Sequence, residues 1–143
     1  MCSVLYVASD QELDLIPRDD GRPAFHVTGL RDGESTVRRN FSKRLVYFVG
    51  ASLGCSCAFV DWKFDLEDDA EAAESHRAEV QPLMSYVENA VGRSKQVELY
   101  VCQDGKWDIA PRRRQHLQTD EWKREAFRLE EGVLYTITDD QRR

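Results

Sequence analysis

The residues best suited to chemistry in this chain stand in Gly54-Cys55-Ser56-Cys57, which holds two of its four cysteines. A thiolate is a strong nucleophile, and backbone N–H groups or an adjacent base make it accessible near neutral pH. A loop of small residues can turn its N–H groups inward and cradle an anion. On this reading Cys55 or Cys57 is the nucleophile and Ser52 with the loop amides holds the anion. Gly54 and Ser56 then form the binding surface, and His26, flanked by Phe25 and Val27, is the base. The opposing reading is packing, because a thiol is among the most buried of side chains and small residues permit a tight strand-to-loop turn. A third is metal: Cys2, Cys55, Cys57 and Cys102 together make an all-thiolate zinc set. Zinc knuckles are ordinarily spaced C-x2-4-C, so a C-x-C pair with two isolated cysteines departs from that pattern. No cofactor is expected, zinc at those four cysteines being the one exception. Cys55, Cys57 and Cys102 follow strands expected to run parallel, and Cys2 joins them only if its own strand runs antiparallel.

Other chemistries are missing a part. Gly50–Ser56 has glycines but lacks the lysine of a phosphate-binding loop. A cysteine phosphatase needs a basic residue about six positions after its nucleophile to hold phosphate. Here Asp61 follows Cys55 and Lys63 follows Cys57 at that distance, and lysine lacks the bidentate fork of arginine. The C-x-C spacing is not the C-x-x-C of a thioredoxin-like pair. His26, His76 and His116 are scattered and form no HExxH or comparable spacing.

The formal net charge of -6 disfavours general nucleic-acid binding, which depends on neutralising phosphates. The charge is uneven. Asp65, Glu67, Asp68, Asp69, Glu71 and Glu74 crowd one segment, with Asp65, Glu67, Asp68 and Asp69 as a candidate docking face for a basic partner. Arg112-Arg113-Arg114 reads as a solvated loop or exposed strand that could pair with that acidic stretch. No segment approaches the roughly 20 apolar residues of a membrane span. The amino terminus has no basic leader, so a cytoplasmic protein with reduced cysteines is expected.

The elements that must position these groups follow from periodicity. Arg44–Val49 is continuously apolar after its first residue, which predicts a central strand buried on both faces. Val80, Leu83, Met84, Val87, Ala90 and Val91 repeat at helical spacing within a helix expected over 68–91. Pro82 should kink or divide it, and Gly92 with Arg93 should stop it. Val97–Cys102 and Val133–Thr138 alternate as strands, and Val4–Ala8 and Phe25–Thr28 read as shorter ones. Phe59–Phe64 reads as an edge strand or extended loop, and Trp107–Ala110 as a hairpin return after Asp104-Gly105. Short helices are expected over Glu34–Phe41 and from Thr119. Strand, long helix, strand makes a parallel crossover unit. The length fits a single globular domain over 1–143, of α+β or α/β class. It should have two layers, a mixed sheet, one long helix in the crossover and one or two short helices. The expected function is a small acidic protein-binding module of regulatory, inhibitor or immunity type. The alternative is a thiol-dependent enzyme built on the Gly54–Cys57 loop.

Overall fold

A computed structural model describes residues 2–18, 25–51, 56–60 and 70–139 of the chain. Its strands are β1 (Ser3–Ser9), β2 (His26–Thr28), β3 (Leu45–Gly50), β4 (Gln96–Gln103), β5 (Arg113–Gln118) and β6 (Val133–Thr138). They form one mixed sheet in the order β2-β3-β1-β4-β6-β5. All neighbours are antiparallel except β5 and β6. The long helix α1 spans Ala70–Ser94 and the short α2 spans Thr119–Glu125. The result is a two-layer α+β arrangement.

The crossover β3-α1-β4 is present, and its two strands are parallel because both run antiparallel to β1. β1 lies between them, so α1 crosses over an inserted strand. β3 is therefore not central: it is second from the edge, and β1 and β4 hold the middle. Continuous apolarity reports burial on two faces, not rank within a sheet. Two-face burial is what β3 has, with Val46 to Gly50 all buried.

On one face Leu5, Val7, Val49, Leu99, Val101, Tyr135 and Ile137 pack beneath α1. The expected stripe of α1 supplies Val80, Leu83, Val87, Ala90 and Val91 to that core, with Met84 partly buried beside it. Trp122 of α2 closes the layer. The other face carries Val4, Tyr6, Ala8, Phe48, Tyr100, Cys102 and Leu134. A 3-10 helix over Glu34–Asn40 covers it with Val37. The turn after β4 covers the rest. Asn40 Nδ2 donates to the carbonyls of Trp107 and Ile109 at 3.0 and 3.3 Å, and the Tyr100 hydroxyl donates to Ile109 O at 2.9 Å. Residues 107–110 are thus a strap across the second face, not the return strand of a hairpin.

Helix α1 passes through Pro82 without division. Pro82 and Ala78 are both exposed, so the Ala78 carbonyl, which proline cannot serve as donor, lies on the solvent side of the helix. The helix also runs beyond Gly92. Its end is set by Lys95 in the left-handed region (φ 70°), whose N–H bonds Val91 O at 2.8 Å. Ser94 Oγ ties the last turn to β4 through Ala90 O and Gln96 O at 2.8 and 3.2 Å. The cap of α2 is Gln118, one residue before the expected Thr119, because Glu121 reaches back to the Gln118 N–H at 3.0 Å. Phe59 ends a 3-10 turn over Cys57–Phe59, and Val60 makes one parallel bridge with Leu129. The remainder of the expected 59–64 strand lies outside the described residues.

Candidate functional site

Because β1 is antiparallel to β3 and β4, its start lies at their carboxyl ends. Cys2, Cys57 and Cys102 therefore share one end of the sheet, as the antiparallel condition required. They do not share one environment. Cys102 alternates onto the second face and is buried there. Burial pushes its thiol up to about 12, with the charges of Asp104, Glu131 and Glu34 acting in the same direction. Cys57 is half-buried, and its Sγ accepts the Ser3 N–H at 3.2 Å. Cys2 is exposed. Among the described residues, no group of three His, Cys, Asp or Glu side chains stands close enough to hold a metal ion.

Ser56 has a defined task at this end. Leu5 and Val49 face one another in the β1–β3 register. The Leu5 N–H donates to Ser56 Oγ at 2.8 Å, and that hydroxyl donates onward to Val49 O. The Ser56 N–H bonds Ser3 O at 3.1 Å. The serine is fully buried and sits as a wedge in the seam between the two strands. Its hydroxyl is committed on both sides to the main chain.

His26 is 3% exposed and pairs with Gly50 across the β2–β3 edge. Its ring occupies the space a side chain at Gly50 would need: a Cβ there would fall 2.1 Å from Nε2. The ring also lies against Phe48, ring centres 5.9 Å apart. His26 is thus held beside the carboxyl end of β3. The other candidates, Ser52, Gly54, Cys55, Asp65, Glu67, Asp68 and Asp69, lie outside the described residues.

Two buried carboxylates organise the second face. Glu34 is fully buried and bonds the Tyr6 hydroxyl, the Arg31 N–H at 2.6 Å and the Arg31 guanidinium at 2.7 Å. Burial pushes the Glu34 carboxyl up, but the Arg31 guanidinium, the Tyr6 hydroxyl and the Arg31 N–H together outweigh it and hold it below the ordinary value. Tyr6 is pushed far upward by burial and by that carboxylate, so it stays a neutral donor. Arg31 also stacks 4.6 Å from the centre of the Phe48 ring. Glu98 anchors the loop before β3, accepting from Ser42 N–H, Ser42 Oγ and Lys43 N–H at 2.8, 3.0 and 3.1 Å. The sequence reading passed over both. The only local signal was the i, i+3 spacing of Arg31 and Glu34.

The outer surface offers two further features. A groove of about 320 Å³ runs between Leu13-Asp14 and the Tyr86–Arg93 side of α1. It is spanned by an Arg93–Asp14 ion pair at 2.7 Å. At the other side of the molecule β5 forms a sheet edge that begins in the arginine run. Arg112 and Arg113 share the Glu130 carboxylate at 3.1 and 3.2 Å, so their described partner belongs to the approach to β6. Arg114 is exposed and makes no ion pair among the described residues. Comparison with known proteins gives no match for this chain to a family model, a curated protein or a solved structure.

Proposed function

We propose that this protein works by binding another protein, as a small regulatory, inhibitor or immunity-type module. The observation that carries this reading is the edge at β5, a well-anchored strand that among the described residues is paired on one side only and begins in three successive arginines. Supporting it, reactive groups at the cysteine end are closed into packing: the Cys102 thiol, the Ser56 hydroxyl and the Glu34 carboxylate. The net charge of -6 keeps general nucleic-acid binding out of this reading. No helix among the described residues is long and apolar enough to cross a membrane. Cys2, Cys57 and Cys102 are thiols, which suits a cytoplasmic setting. The test is reconstitution. A protein recovered with this chain, then purified separately, should re-form a binary complex of micromolar affinity or tighter, about -8 kcal/mol. Failure to isolate any such binary complex counts against the reading.

The thiol-enzyme reading keeps one specific observation in its favour. Cys57 is partly accessible, and its Sγ accepts the Ser3 N–H at 3.2 Å while also donating to Ser3 O at 3.9 Å. Alkylation rates against pH, resolved by peptide mapping, separate the two. Fast labelling of Cys55 or Cys57 well below the free-thiol value of about 8.5 supports the enzyme, and inert cysteines support packing. Repeating the measurement with a chelator reports on metal, since labelling that appears only then marks a zinc thiolate site.

A further inference from the structure

We infer that β5 takes up an extended acidic segment of the partner protein as a seventh strand on the six-stranded sheet, its carboxylates meeting Arg112, Arg113 and Arg114. This rests on the protein-binding reading and names the chemistry of the partner.

Three observations carry it. The first is the main chain. Among the described residues β5 ends the sheet order and pairs only with β6, in register from Arg113–Val133 to Gln118–Thr138. The Arg113 N–H points to Gly132 O on the β6 side, so strand alternation turns the N–H groups of Arg114 and His116 outward. Such a row of outward groups is what an added strand pairs with.

The second is rigidity. Leu117 is buried in the helix-side core, and His116 Nε2 lies 2.7 Å from Thr138 Oγ1. The strand is held from both faces, and α2 begins at its last residue. A template already in the bound shape loses little freedom on pairing.

The third is charge. On a chain of net charge -6, Arg112 and Arg113 share one carboxylate, Glu130, and Arg114 makes no ion pair among the described residues. Period-two alternation sets Arg113 and Arg114 on opposite faces of the edge, so cations flank an incoming strand above and below. Guanidinium forks suit carboxylates, whose side chains alternate in the same way along an added strand. Charged residues on an edge also guard against aggregation. Two copies joined by this edge would each bring the arginine run to the seam, so like charge disfavours self-pairing and an acidic segment is the complementary occupant.

The experiment uses the full chain and two fluorescent ten-residue probe peptides. One alternates glutamate with threonine, and the other replaces each glutamate by lysine. Affinity is read by anisotropy and the site by amide exchange of β5. The acidic probe should bind, the basic one should not, and the outward β5 amides should gain protection. Arg114→Glu should weaken binding by about tenfold, and His116→Pro, which removes an outward N–H and the His116–Thr138 contact but leaves the main-chain ladder to β6, should abolish it. Both variants are checked for native circular dichroism, with Arg114→Glu available should His116→Pro not fold. Equal binding of both probes, unchanged β5 exchange, or a folded His116→Pro that binds normally would each overturn strand addition. Concentration-dependent dimers lost in Arg114→Glu would overturn it in favour of a second copy. If a reconstituted partner binds while β5 exchange and the Arg114→Glu affinity stay unchanged, the protein-binding reading survives and this inference does not.

Discussion

Ser56 illustrates how a residue chosen for chemistry can be claimed by the main chain. A hydroxyl both donates and accepts, so one side chain satisfies the Leu5 N–H and the Val49 carbonyl together. Ser56→Ala strands two buried backbone groups and should cost about 2 kcal/mol in chemical denaturation. A loss under about 0.5 kcal/mol would mean that β1 and β3 close the seam and bond directly. Cys102 gives the second residue-scale prediction. With its thiol raised to about 12 and fully packed, it should resist alkylation at pH 8 until the protein unfolds, while exposed Cys2 labels at once. Early labelling of Cys102 in mass spectra would contradict its placement. None of this was legible in Gly54-Cys55-Ser56-Cys57, because thiols and hydroxyls look alike in sequence whether they face a substrate or a strand.

Elements were legible where their periodicity is local. Val97–Cys102 and Val133–Thr138 alternate, and β4 and β6 contain or match them. The α1 stripe at helical spacing is the stripe that packs. Ends were less legible, since a cap depends on what comes next in space. Gly92 was the expected stop, but the helix continues to Ser94 and a lysine takes the left-handed position. A side chain there is strained, so Lys95→Gly should stabilise the fold by about 1 kcal/mol. The thermal midpoint should rise by a few degrees, and an unchanged or lowered midpoint would show that Lys95 gives more in contacts than it costs in backbone strain. For a different reason, β5 was anticipated only at its start, where Arg112–Arg114 reads as a solvated loop or exposed strand. It is an edge strand with one fully buried side chain, Leu117, and a strand with one apolar anchor has no period-two signal.

At the scale of the whole molecule, the second sheet face depends on a carboxylate buried among Tyr6 and Arg31. The Glu34 carboxyl is held below its ordinary value near 4.5, so the stability it adds is present above that pH and is lost as pH falls through the lowered value. The stability difference between wild type and Glu34→Gln should therefore be constant at neutral pH and shrink in acid. Urea midpoints measured from pH 7 to pH 3 check this, and a difference that does not shrink would remove Glu34 from the acid limb. What the sequence by itself determined was the class of the protein and its local pieces: a mixed sheet, a long helix over one face, and parallel strands at the two ends of the crossover. Side-chain periodicity and turn chemistry act within a few residues, so they can be read along the chain. Tertiary structure alone decided that β1 enters between β3 and β4, that the 107–110 strap covers the second face, and that among the described residues β5 is the edge strand, beginning in the arginine run. Those outcomes depend on which distant surfaces satisfy one another's hydrogen bonds and apolar area, and no local pattern encodes that competition.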